Sequence, residues 1–368
     1  MLVLSMISAL VCMALVFTAD RIPRFAGRAH DLTAVQSMHD CPTPRVGGIA
    51  IFIAFLVSTY FVPVSLTANY VKFAAATGIL FAVGLAEDLG FNIAPKARLA
   101  ACLIASLAVI VLLDAWLPRI GIPSFDPIMA SWAIGVPITL VITAAVANGF
   151  NLIDGVNGLA ALTAIAAAGA LATISHHAGY LAMTDICLLL AAGILGFLVL
   201  NYPFGLIFLG DAGAYTLGFI LSWFGISILL QATNVSPWAI LLTVFWPLAD
   251  TLLAIYRRLA SSTDTFAPDR LHVHQMVMRS LEIYFLGRHQ RHISNPLTTL
   301  ILAPFVVAPP LSAIFLWDQN RYAFFAVITF VALFFSSYRI AIIVLKRLPH
   351  RSGCPNVAKN ASVREALN

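Results

Sequence analysis

Charge is the scarcest property of this chain. Asp, Glu, Lys and Arg make up 10% of its 368 residues, against about 25% in soluble proteins. That shortage excludes an ordinary water-facing globular domain. Cysteine is also sparse. The five residues Cys12, Cys41, Cys102, Cys187 and Cys354 are scattered, mostly within apolar runs. Their spacing fits neither a disulfide framework nor a zinc site, so they read as buried thiols. The opening "MLVLSMISALVCMALVFTAD" lacks the basic start and small-residue cleavage site of a secretory signal, and is expected to be a retained membrane helix. No internal repeat is visible.

What is present is apolar: 61% of the residues. Runs of roughly 15 to 23 residues, long enough to span a bilayer, fall at 1–19, 48–65, 70–86, 99–117, 128–146, 159–174, 180–200, 212–230, 237–255, 296–316 and 323–345. Backbone in lipid must satisfy its own hydrogen bonds. The expectation is therefore an all-α, polytopic membrane protein of about 11 transmembrane helices. Residues 1–346 would form one transmembrane domain and 347–368 a basic cytoplasmic tail. The charge pattern supplies the orientation. With the first connection placed inside and the rest alternating, only Lys72, Arg119 and Arg321 of the 21 basic residues fall outside. By the positive-inside rule the N-terminus is expected outside and the C-terminus in the cytoplasm. The formal charge of +5 then serves topology, and nucleic acid is not needed as a partner.

The unusual chemistry gathers on the inner connections. "NGFNLIDGVNGLA" (Asn148–Ala160) packs three Asn, one Asp and three Gly into 13 positions. Asn148, Asn151 and Asp154, three apart, would share a helix face, with Asn157 at its edge. Amides beside a carboxylate suit a nucleotide or sugar with a metal nearby, although a polar cap between two helices explains the same residues. Glu87 and Asp88 pair two carboxylates at a helix end, with Lys96 and Arg98 following. They read either as Mg²⁺ ligands or as a solvated terminus. Asp211, in Gly210-Asp211-Ala212-Gly213, is a metal ligand or a helix cap, and Phe208 just before it is packing or a base-stacking surface. His272 and His274 stand near Asp269 and Arg270 without cysteine, which points to phosphate rather than zinc. Asp250 reads as a buried structural partner for an Arg or as part of the site. His289 and His292 read as solvated, and His176 and His177 as external.

In order, these loops resemble the polyprenyl-phosphate N-acetylhexosamine-1-phosphate transferase family (glycosyltransferase family 4). It includes the phospho-MurNAc-pentapeptide translocase and the undecaprenyl-phosphate GlcNAc-1-phosphate transferase. The likeness covers about 38–275: PTPRxGG, the acidic pair, NxxNxxDGxxGL, NxPxxxxxxGDxGxxxLG, PxxDT and the HxH loop. It is closer to the GlcNAc branch. It implies transfer of a sugar-1-phosphate from a UDP-N-acetylhexosamine to undecaprenyl phosphate within the bilayer lipid. UMP is released and Mg²⁺, with Mn²⁺ as an alternative, assists. It also implies a bacterial inner membrane, a cytoplasmic active site and compatibility with a homodimer. Asp88, Glu87, Asp154 and Asp211 would be catalytic, with Asp211 and Asp88 on the metal. Asn148, Asn151, Asn157, Phe208, Arg45, Arg98, Arg270, His272 and His274 would bind substrate.

Three positions depart from the family pattern. Glu87 stands for an Asp, Asn157 for a second Asp facing the nucleotide, and Gln275 ends a motif that normally closes with His-His. The rival readings are the pentapeptide translocase, a catalytically inactive relative and a secondary transporter. A transporter would place its site near the bilayer midplane, whereas these acidic residues lie at the inner rim.

Overall fold

The computed structural model describes residues 1–19, 21–22, 24, 43–260 and 272–347. Arg270, Asp269 and the basic tail from 348 onward lie outside these residues. Every regular element among them is helical, in keeping with the all-α expectation. We number the principal helices α1 (Leu2–Ala19), α2 (Gly47–Ser58), α3 (Val64–Asp88), α4 (Pro95–Leu113), α5 (Trp132–Ile153), α6 (Leu159–His177) and α7 (Leu181–Asn201). There follow α8 (Gly210–Gln231), α9 (Pro237–Thr243), α10 (Phe245–Ala260), α11 (Val273–Leu281), α12 (Arg291–Phe315) and α13 (Asn320–Arg347).

Each of the eleven apolar runs falls on a helix. Among the described residues nine helices are long and apolar enough to cross a membrane, and α9 with α10 makes a bent tenth. The chain is thus a multi-pass membrane protein. Two runs differ from the continuous spans expected of them. The second is the short α2 plus one 3₁₀ turn, Thr59–Phe61. Pro63 forces Val62 into an extended conformation (φ −78°, ψ 141°), and the helix stops there. The ninth is broken at Val244 by an 81° bend. Pro247 is the cause: its ring clashes with the carbonyl four residues back, that of Thr243, and it has no N–H to donate.

The core is organised around α8, whose residues from Gly210 to Ile226 are all buried. It packs against α2, α3 and α5. A helix largely apolar on every side belongs in the middle of a bundle, and this one carries its single charged residue, Asp211, in its first turn. At the C-terminal end Arg119 donates to the carbonyls of Leu229 (2.6 Å), Ala232 (2.8 Å) and Val235 (2.8 Å). The first is a carbonyl of the last turn, which a terminating helix leaves without an amide partner, and the other two belong to the C-cap and the loop that follows. At the N-terminal end lies Asp211, where the ends of α2, α3, α4 and α5 converge.

Candidate functional site

Asp211 occupies the first turn of α8 and is 5% exposed. A carboxylate suits that position because it complements the helix dipole, yet so buried a charge also needs partners. Three elements supply them. Arg98, in the first turn of α4, donates Nη1–H to Asp211 Oδ2. Asn151, in the last turn of α5, donates Nδ2–H to Oδ1 at 3.1 Å. Arg45, on the irregular lead into α2, lies 3.5 Å from Oδ1. The Arg45 side chain is 42% exposed, so it is the cation of the group that faces outward. The lead into α2 is tied to the segment before α8: the Phe208 N–H donates to Pro44 O, Gly47 N–H to Phe208 O and Gly48 N–H to Leu209 O, at 2.8 to 2.9 Å.

The acidic pair at the end of α3 faces the backbone. Asp88 accepts the N–H of Asp211 at Oδ1 (2.9 Å) and of Ala212 at Oδ2 (2.8 Å). α8 has no side-chain cap of its own, so Asp88 caps it from 123 positions away. Gly210 makes this approach feasible. Its φ is +73°, and a Cβ there would collide with Arg45 O and Asp88 Oδ2. The neighbouring Glu87 accepts the backbone N–H of Ile93 and so closes the turn between α3 and α4.

The Asn-rich stretch does not form a single helical face. α5 ends at Ile153, and Asp154 is its C-cap at φ −78°, ψ 57°. Of the four side chains spaced by three, Asn151 reaches Asp211. Asn148 donates back to Ala144 O in its own helix at 2.8 Å. Asp154 is drawn to the same end of α8. Burial pushes its carboxyl up to about 7, Arg45 pulls it down, Asp211 pushes it up, and the Gly210 N–H pulls it down. Asn157 turns elsewhere. Its Nδ2 donates to Pro203 O (3.0 Å), its N–H to Asn295 Oδ1 (2.8 Å), and its carbonyl accepts from Thr299 Oγ1 (2.6 Å). Asn201 completes this clasp, accepting from Gly158 N–H and donating to Ile207 O. Asn157 therefore pins the loop that carries Phe208, which is half-buried.

The two histidines are unlike each other. Their rings stack at 5.8 Å with 15° between planes. His272 Nδ1 is 2.7 Å from Asp250 Oδ2, so of the two readings of Asp250 the one that paired it with an Arg gives way: its partner is a histidine. His274 is 2% exposed, and its Nε2 has no hydrogen-bond partner. It points at Gly155, where a Cβ would collide with Nε2. Burial pushes the His274 ring down to about 3, and His272 adds to that while Asp250 opposes it. A ring that stays neutral cannot meet a phosphate as a cation. His272 is the one of the pair held by a carboxylate.

No cluster of three or more His, Cys, Asp or Glu suited to a metal occurs among the described residues. Mg²⁺ does not require one, since it is usually held by one or two carboxylates together with substrate phosphates and water. Asp211 fits that role: a carboxylate at a helix N-terminus, beside an amide and two arginines that suit phosphate. Asp88 has both oxygens on backbone N–H groups, whereas those of Asp211 are held by the side chains of Arg98, Asn151 and Arg45. Side chains can swing aside for an ion where the α8 backbone cannot, which leaves Asp211 the better placed of the two carboxylates proposed as ligands. Sequence motifs marked Asp250 (PxxDT) and His272 (HxH) separately, but no signal showed that the two pair, and none pointed to the Asn157–Asn295–Thr299 clasp.

Residues 70–229 match the family model described as Glycosyl transferase family 4, a span that contains Asp88, Arg98, Asn151, Asp154 and Asp211. The chain is 30% identical over 287 residues to an undecaprenyl-phosphate alpha-N-acetylglucosaminyl 1-phosphate transferase of Yersinia pestis, covering 74% of this chain and 75% of that one. It is 28% identical over 284 residues to the protein of the same name from Escherichia coli (strain K12), with 72% of each covered. A decaprenyl-phosphate N-acetylglucosaminephosphotransferase of Mycobacterium tuberculosis is 27% identical over 274 residues, 66% of this chain and 67% of that relative. A carboxylate-and-arginine centre inside the matched span, and a relative at this identity over three quarters of its length, place the chain in glycosyl transferase family 4.

Proposed function

We propose that the protein transfers an N-acetylhexosamine-1-phosphate, GlcNAc-1-phosphate foremost, from a UDP-sugar to undecaprenyl phosphate and releases UMP. The observation that carries this reading is the convergence of Arg45, Arg98 and Asn151 on Asp211 at the N-terminus of the central helix. The names of the relatives supply the class of substrate.

The reaction joins a lipid phosphate oxygen to the β-phosphorus of the UDP-sugar. The bond from that phosphorus to the bridging oxygen breaks, and UMP leaves with the bridging oxygen. Such a transfer depends on positioning and charge neutralisation. Arg45 and Arg98 take phosphate oxygens, and the positive end of the α8 dipole favours the same anions. Asn151 holds the Asp211 carboxylate in place. No strong base is required, because a phosphate monoester with a second pKa near 6 is mostly dianionic at neutral pH. Asp211 would hold a Mg²⁺ ion, which when bound offsets the charge that develops on the pyrophosphate oxygens. The asymmetry of the basic residues supports a cytoplasmic position for this rim in a bacterial inner membrane.

The test is UMP release by the purified protein with undecaprenyl phosphate, Mg²⁺ and a panel of UDP-N-acetylhexosamines, beside Asp211→Asn. Lipid-dependent release from one donor, abolished in the variant and by EDTA, is the expected result. Binding of UDP-sugars without release would point to an inactive relative. Neither release nor binding would overturn the reading.

A further inference from the structure

Asp250 stands on α10, one turn beyond Pro247, and is 1% exposed. Both of its oxygens are used at one place 22 positions later: Oδ2 meets His272 Nδ1 at 2.7 Å, and Oδ1 accepts the N–H of Val273 at 3.3 Å. His272 is the N-cap of α11, extended at φ −62°, ψ 146°, and it makes no capping bond of its own. The carboxylate therefore holds the ring of His272 and the backbone beside it together. Its contacts leave the second ring nitrogen, Nε2, with no hydrogen bond among the described residues.

We propose, resting on the transferase reading above, that Asp250 is a positioning residue that fixes His272 so that Nε2 is presented to a substrate phosphate. A mere staple between α10 and α11 would need only a neutral hydrogen bond. A buried carboxylate is costly unless a partner balances it, and here the balancing group is an imidazole. Accepting from Nδ1–H sets the tautomer and the orientation of the ring, as carboxylates do for histidines that must act through the opposite nitrogen. The location agrees. His272 stacks on His274, whose Nε2 abuts Gly155 beside Asp154, so the pair borders the carboxylate centre.

The experiment compares wild type, Asp250→Asn, His272→Gln and the double variant in detergent. UMP binding, uridine binding and the KM for undecaprenyl phosphate are measured alongside the melting temperature. A loss of about tenfold is expected in phosphate-dependent recognition, the size that attends removal of a histidine's orienting partner. Weaker UMP binding with uridine binding unchanged assigns the phosphate to the nucleotide. A raised KM for the lipid with UMP unchanged assigns it to the lipid. In either case Asp250→Asn should add nothing in the His272→Gln background. If Asp250→Asn does not fold, Asp250→Glu is read by the same criteria. Equal losses for UMP and uridine, or additive effects in the double variant, would overturn the proposal. Wild-type protein that binds neither ligand and releases no UMP would remove the transferase reading, and this proposal with it.

Discussion

Asp88→Asn is expected to unfasten the N-terminus of α8. In the wild type two backbone amides, those of Asp211 and Ala212, donate to one carboxylate at 2.9 and 2.8 Å. Asn keeps a single acceptor oxygen, and its amide N–H groups then face a backbone N–H. One charge-assisted bond of about 1.5–3 kcal/mol is lost, and a buried donor is left unpaired at a similar cost. Removing a charge beside Asp211 returns part of this, for a net loss of about 2–3 kcal/mol. The site cannot relax by drawing away, because Gly210 is wedged between Asp88 and the Arg45 carbonyl. Thermal unfolding followed by tryptophan fluorescence, in detergent and without added metal, should show a lower midpoint. Turnover should fall with it, since Asp211 rides on the same turn. If Asp88→Asn melts as wild type and loses only turnover, Asp88 acts on the substrate directly and the capping argument is wrong.

Two further outcomes follow from buried groups. Asn157→Asp restores the residue common in the family but sets a carboxylate against the Pro203 carbonyl at 3.0 Å. It should destabilise by about 1–3 kcal/mol and lower activity, and unchanged melting with raised activity would count against the clasp. His274, pushed down to about 3 by burial, binds its proton less readily folded than unfolded. Its contribution to stability is complete above about pH 6.5, declines as the pH falls and is lost by about pH 3. His274→Gln should flatten that acid limb in a melting series, and an identical slope in the variant would refute the assignment.

Local pattern was enough for some of this molecule. Apolar run length determined that the chain is helical and multi-pass, because lipid admits little else for such stretches. Alternation of the connections put 87–98, 148–160 and 208–213 at one end of the bundle, and there Arg98, Asn151 and Asp211 do meet. Pro63 and Pro247 were in plain view, yet run length by itself treated both stretches as continuous spans, and the breaks at Val62 and Val244 show in the folded chain.

Partner choice was decided by tertiary structure. The notion of side chains sharing one helical face depended on α5 continuing past Ile153, and it does not. Asp88 read as a metal ligand or a solvated terminus, and Asp250 as a partner for an Arg or as part of the site. The fold brings an unsatisfied helix N-terminus to each of them, contacts that no local pattern announces. Asn157 meets Asn295 and Thr299 from 138 and 142 positions away. Hydropathy is a local property of the chain and can be read in order. Which buried polar group satisfies which other depends on long-range packing, and only the folded arrangement shows it.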